Sequence, residues 1–387
     1  MKKRIAGIIV LMIVLLTVMA AGTATASAET KEASDWYTLF EALDDGGNAV
    51  GEFDVVLTKD IEAMPLLHVI RIREGTKATL DMNGHSIYGI DEDYNYFDVV
   101  GELNVINSKE AVSSFDYFSD YVFAVQEGAK LTVNSGVRLC NNCRGIGETP
   151  VHTKGSFIMN GCEISGNNVA DDDENTMGAA VVVDGAGSLI LKGDYKFSDN
   201  VTDNKNSGEK YNCDVLLMNK AARIIIPEAL KGEKPIKVAF VGDMVFTEGW
   251  AEFNKDNNFT DYFEAARKNS SISLDEKSGE LNSTVKKAAN TLSVKTKSYT
   301  IKYKQLREKT QKIARKKVIT VSGAKSTVTY SKASGNKKIT VAKETGNLTV
   351  KKGLKKGTYK VSVKVKAAEN RGYKARTVSK TVTVTVK

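Results

Sequence analysis

The sequence is short of the residue types that most often carry chemistry. Only 4 cysteines, 4 prolines, 3 histidines and 2 tryptophans occur among 387 residues. No second Cys or His pair stands at zinc-site spacing from Cys140-x-x-Cys143, so a metal centre is not expected. Acidic residues are nearly missing from one region. From Lys286 to Lys387 there are 29 Lys+Arg against 3 acids, Glu308, Glu344 and Glu369, whereas the first 285 residues carry 26 basic and 44 acidic residues. The formal charge of +8 therefore conceals two modules of opposite sign. Long apolar runs are absent after residue 20, which leaves no membrane span in the body of the chain. A hydrophobic content of 42% excludes global disorder.

What is present begins with an export signature. Lys2-Lys3-Arg4 precedes an uncharged apolar stretch from Ile5 to Ala20, and Ala26-Ser27-Ala28 has the small-x-small spacing of a signal peptidase site. Residues 1–28 are expected to be a signal peptide. With no Leu-Pro-x-Thr-Gly sorting motif in view, the protein is expected to be secreted or non-covalently wall associated. An exported chain permits disulfides, so Cys140, Cys143, Cys162 and Cys213 are read either as free thiols or as one or more bridges.

A repeat runs through the acidic region. Leu80-Asp81-Met82-Asn83-Gly84, Leu131-Thr132-Val133-Asn134-Ser135, Phe157-Ile158-Met159-Asn160-Gly161 and Leu189-Ile190-Leu191-Lys192-Gly193 share the order apolar, any, apolar, polar, small, with a weaker copy at Leu103. Each follows a glycine, at Gly75, Gly101, Gly128, Gly155 or Gly187. Alternation between glycines predicts short strands buried on one face. Such a unit cannot bury its apolar face alone, and stacking copies about 4.8 Å apart solves this, which predicts a β-solenoid. Asn142, Asn167 and Asn200 each stand three residues after an apolar residue and predict a structural amide ladder. Trp36, Leu39, Phe40 and Leu43 predict a capping helix started by Ser34 or Asp35, and the aromatic stretch 246–263 predicts a C-terminal cap.

These residues carry a resemblance. Leu80-Asp81-Met82-Asn83-Gly84-His85-Ser86-Ile87, with Trp36 and Lys59-Asp60-Ile61 before it, resembles the entry of exported right-handed parallel β-helix proteins of the pectin-lyase-like class. Ile164-Ser165-Gly166-Asn167 and Gly249-Trp250 resemble adhesin-like members from Gram-positive bacteria. In the basic module, seven alternating runs between Leu292 and Val384 predict a β-sandwich whose lysines face solvent, with a short helix within 304–317. Lys352-Gly353-Leu354-Lys355-Lys356-Gly357-Thr358-Tyr359 and Asn370-Arg371-Gly372-Tyr373-Lys374-Ala375 resemble a Lys-rich immunoglobulin-like domain of surface proteins. The expected order is all-β: signal peptide 1–28, capped β-helix 29–267, polar linker 268–290 and immunoglobulin-like sandwich 291–387.

Candidate chemistry is sparse. The step from Phe157 to Leu189 exceeds its predecessor by six residues and holds Asp171-Asp172-Asp173-Glu174, which together with Asp184 and Asp199 form a candidate ligand or Ca²⁺ site, the only cofactor considered. Polysaccharide lyase or glycoside hydrolase activity is the enzymatic alternative, but the combined Asn-Thr-Asp, Asp-Asp, His-Gly and Arg-Ile-Lys set of polygalacturonases is missing. His68, His85 and His152 read as packed or turn residues. The favoured expectation is a non-enzymatic, adhesin-like protein. Its β-helix would bind a glycan or a host or cell-surface protein, and its basic module would bind anionic wall polymers rather than nucleic acid. A spacer without ligand is the third reading.

Overall fold

The computed structural model describes residues 29–44, 50–65, 69–90, 95–143, 149–171, 179–204, 210–231, 235–369 and 372–387. The expected signal peptide lies outside the described residues, as do His68, Asp172, Asp173 and Glu174. Residues 29–265 wind into a parallel β-solenoid of about 7 turns. Sheet I stacks nine parallel strands, from Glu29–Ala33 and Glu52–Leu57 to Arg223–Ile225 and Thr247–Glu248. Sheet II stacks six, from Ile61–Glu62 to Lys196–Ser198, and sheet III eight, from Val69–Ile72 to Phe263–Ala265.

Alternation builds this interior directly. In sheet I, Phe53, Ala78, Leu103, Leu131, Phe157, Leu189 and Ile224 form one inward column, and all are buried. The repeat read from sequence is thereby corrected at its first copy. Ala78, not Leu80, is the partner of Leu103, because a shift of two residues preserves which side chains face inward. Glycines mark the corner into sheet I for a steric reason. A Cβ on Gly101 would lie 2.2 Å from the Arg73 carbonyl oxygen, and one on Gly155 would lie 2.4 Å from that of Ala129.

The corner out of sheet II is where the predicted ladder sits. Asn142, Asn167 and Asn200 are buried, and each side-chain amide bonds to the backbone of the turn before it, while those of Asn167 and Asn200 also donate to the next side chain of the ladder. Asn142 Oδ1 accepts from the Phe118 N–H at 3.0 Å, and Asn167 Oδ1 accepts from the Asn142 N–H at 3.0 Å. Asn167 Nδ2 donates to Leu139 O at 3.1 Å and to Asn200 Oδ1 at 2.9 Å. The left-handed backbone at this corner belongs to the residue before each asparagine: Asn141 (φ 54), Gly166 (φ 66) and Asp199 (φ 54). Asp214 ends the ladder, with Oδ1 accepting from Asn200 Nδ2 and Oδ2 from the Lys237 N–H, both at 2.9 Å. Burial pushes the Asp214 carboxyl above the ordinary aspartate range.

Both ends are closed as expected, and a third element joins them. The helix Trp36–Leu43 starts at Asp35 in a capping box with Thr38 and buries Trp36, Leu39, Ala42 and Leu43. Asp44 at its end ties it to sheet III, accepting from Arg73 Nη2 at 2.8 Å and from the Arg71 N–H at 3.2 Å. At the far end, Phe240, Phe246, Trp250 and Phe263 pack ring to ring at 5.0 to 6.1 Å. The segment read as a linker is a hairpin instead, Ser270–Leu274 with Leu281–Val285, and it pairs with Met244–Val245. Polar composition concealed it, because only Leu281 and Ser283 of its second strand are buried. Its Glu280 carboxylate accepts from the N–H groups of Gly249, Trp250 and Ala251 at 3.1 to 3.2 Å and from Thr247 Oγ1 at 2.8 Å.

The basic module forms a second core of its own. Nine strands build a four-stranded sheet (Tyr299–Ile301, Arg376–Val386, Gly357–Ala367, Val328–Ser334), a three-stranded sheet and a two-stranded sheet. Every pairing is antiparallel except Tyr299–Ile301 on Arg376–Val386. The first of the seven alternating runs, Leu292 to Tyr303, splits into Ser293–Thr296 and Tyr299–Ile301 in different sheets. Lys360, Lys364 and Lys366 face solvent while Val361, Val363 and Val365 are buried, as the alternation predicted. The short helix is Tyr303–Glu308.

Removing the Asn167 amide orphans the buried Asn142 N–H and Leu139 carbonyl of the turn before and takes a donor from Asn200 Oδ1. Asn167→Ala is therefore expected to destabilise the solenoid by about 3 kcal/mol, whereas exposed Asn160→Ala costs about 0.5 kcal/mol or less, measured by denaturant unfolding. Glu280→Ala should lower stability by about 2 kcal/mol and speed amide exchange at Gly249, Trp250 and Ala251 first.

Candidate functional site

Among the described residues, the acidic candidates Asp171, Asp184 and Asp199 fall in three different segments. Asp171 ends the strand Asn168–Asp171, which leaves the solenoid to pair with Val201–Asn204 in a side sheet completed by Lys210–Asn212. Asp199 occupies the left-handed corner next to the ladder. Asp184 lies in the turn between sheets III and I, where its Oδ1 accepts from the Gly185 N–H at 2.7 Å. Among the described residues, no group of three or more His, Cys, Asp or Glu side chains gathers around one point.

The cysteines do not pair. All four are free thiols; Cys143, Cys162 and Cys213 are buried and Cys140 is partly exposed. Burial pushes the Cys140 and Cys162 thiols up to about 12, with the Asp116 carboxylate adding to the effect at Cys140, so both stay protonated and weakly nucleophilic. The bridge considered from sequence is replaced by thiols that act as small core side chains.

The outer face of sheet III changes character along its length. On the outside of sheet III, Ala179, Val182, Cys213, Leu216 and Ala239 form a small buried cluster with Tyr211 and Met218. Towards the N-terminal end the same face carries polar and aromatic groups. Arg71 Nε donates to Asp98 Oδ2 and Gln126 Nε2 to Asp98 Oδ1, both at 2.7 Å. The Tyr121 ring lies 5.9 Å from Tyr96 and 5.8 Å from His152, centre to centre. His152 Nε2 points at Asp184 Oδ2 from 3.8 Å, beyond hydrogen-bonding distance. Burial raises the Asp120 carboxyl and holds the His152 imidazole below 6.5, against the opposing pull of Asp184.

Sequence reasoning counted His152 as a packed residue and passed over Tyr96 and Tyr121. Neither tyrosine carries a repeat signal, since sheet III sets Phe97 against Phe123, 26 residues on, and Tyr121 falls one place out of step with Tyr96.

The basic module carries a second feature. Lys302, Lys304, Arg307, Lys356 and Lys387 line an open groove of about 700 Å³ with Tyr303 and a single acid, Glu308. All five cations are exposed, and Lys356 Nζ sits 5.7 Å from the Tyr303 ring centre. Tyr299, Tyr330 and Tyr373 likewise each lie beneath a cation of the same module, from Lys317, Arg315 and Lys325. No protein-family model matches the chain, and no curated protein matches it significantly.

A histidine whose charged form the fold disfavours contributes stability above its unfolded pKa, and that contribution is lost as pH falls through 6.5 and below. The thermal midpoint should therefore drop between about pH 7.5 and about pH 5.5 by more in the native chain than in His152→Phe, as scanning calorimetry would show.

Proposed function

We propose that the protein is an exported, adhesin-like binding protein in which the acidic solenoid presents a glycan- or protein-binding face and the basic module associates with the anionic cell envelope. In this reading the solenoid is a right-handed β-helix of the pectin-lyase-like type and the basic module is an immunoglobulin-like domain. No catalytic step is assigned to either.

The observation that carries the proposal is the groove of five exposed cations within a module of 29 basic and 3 acidic residues. Unpaired surface cations gain little from one another, but together they attract a repeating polyanion such as a teichoic acid. Tyr299, Tyr303, Tyr330 and Tyr373 already hold an intramolecular cation, which favours a charge-driven partner over stacked bases.

Such binding is screened by salt. Retention of the full chain on purified teichoic-acid-bearing walls should fall roughly tenfold between about 0.05 M and about 0.3 M NaCl. The variant Lys304→Glu/Arg307→Glu/Lys356→Glu should bind roughly tenfold more weakly at low salt. Retention indifferent to both salt and these charges would overturn the proposal.

A further inference from the structure

The basic groove continues onto a neighbouring surface. Lys302 and Lys387, which line it, directly follow two strands of the four-stranded sheet, Tyr299–Ile301 and Arg376–Val386. The hydrogen-bond ladder runs on past both strands: the Lys387 N–H donates to Ile301 O at 3.1 Å, and the Tyr303 N–H donates to Lys387 O at 2.5 Å. Lys302 itself is extended, at φ −70 and ψ 126. Strand alternation therefore sets Lys302 and Lys387 on the same side as Thr300 and Thr385, away from the buried Ile301 and Val386. The groove opens onto the outer face of that sheet.

This face is uniform in composition. On Gly357–Ala367, Thr358, Lys360, Ser362, Lys364 and Lys366 point outward, while Val361, Val363 and Val365 are buried. Their five partners on Arg376–Val386 are all threonine or serine. On the far strand, Thr329 and Ser331 stand opposite Lys366 and Lys364. No acidic, aromatic or aliphatic side chain occupies these outward positions, so the face is a lattice of hydroxyl and ammonium groups. Solvent-facing sheets ordinarily interleave both signs, because like charges side by side repel. Here Lys364 and Lys366 are outward neighbours about 6.6 Å apart along one strand. Lys360, Lys364 and Lys366 make no ion pair or hydrogen bond within the described residues, and the Thr358 and Thr385 hydroxyls meet only at 3.5 Å. The donors of the face are uncommitted.

We propose that this face and the groove form one track for an extended, ring-free polyanion, a poly(polyol phosphate) lying along the strands. A protein partner would need an apolar patch, and a pyranose or nucleobase would need an aromatic or apolar surface to lie on. The face offers neither. Phosphate oxygens accept from ammonium and hydroxyl groups alike, and each lysine that meets a phosphate releases a condensed counterion. The two central strands of 11 residues, at about 3.3 Å each, make the track about 36 Å long. This inference rests on the reading of the basic module as the envelope-binding half, and it names the polymer class and the surface along which that polymer runs.

Isothermal titration of the full chain tests it, with synthetic poly(glycerol phosphate) of about three and about fifteen repeats, shorter and longer than the track, and with polygalacturonate. In Lys360→Gln/Lys364→Gln/Lys366→Gln, which leaves the groove intact, the long polymer should bind roughly tenfold more weakly and the short one less than about threefold more weakly. The slope of log affinity against log salt for the long polymer should fall by about 1 to 2. Thr381→Val/Thr383→Val keeps the branched shape but removes two donors, and should weaken long-polymer binding several-fold with the salt slope unchanged. Long-polymer affinity and slope that the glutamine variant leaves at native values overturn the track, while wall retention that is still lost in Lys304→Glu/Arg307→Glu/Lys356→Glu upholds the groove. Polygalacturonate bound as tightly as the long poly(glycerol phosphate) also overturns the inference. A native chain that neither wall nor polymer retains overturns the envelope reading and the track together.

Discussion

Everything in the solenoid depends on satisfying backbone groups at a buried corner. Between sheets II and III the chain must turn inside the stack, where water cannot reach the peptide groups, and each unpaired donor there would cost about 1 to 3 kcal/mol. Asn142, Asn167 and Asn200 meet this demand by bonding to both a donor and an acceptor of the backbone one turn before. An amide suits this position because it donates and accepts at once. A carboxylate can only accept, which is why Asp214 stands at the ladder's end, where its second oxygen meets the Lys237 N–H instead of another side chain.

The fold was legible wherever one physical requirement repeated at a constant interval. Inward columns, corner glycines and ladder asparagines recur once per turn, and their spacing pointed to the coil. Legibility failed where a structure has no period. The hairpin 270–285 occurs once and buries little, so its serines and charged residues looked like a tether. The two-residue slip at Leu80 arose because strand alternation has a period of two and cannot distinguish neighbouring inward positions.

The candidate sites were harder to read for a related reason. The acids between Asp171 and Glu174 drew attention because they are adjacent in the chain, but Asp184 and Asp199 are held at different corners. In the basic module the lysines were plain in the sequence, while their gathering into one groove required the helix Tyr303–Glu308 and the loop at Lys356 to meet.

The hairpin at the end of the coil also determines how the protein bears a load. A pull entering at Lys286 is transmitted first to Val285, which is paired with Ser270 at the open end of the hairpin. Tension there opens the Ser270 end first, and beyond Thr284 it must part the central strand from Met244–Val245 as well. Glu280 stands at the far end of the peeling strand, with four hydrogen bonds into the last turn. The outer end of the hairpin thus acts as a mechanical fuse: it lengthens before the coil is strained, and the stacked turns keep their shape while the attachment gives.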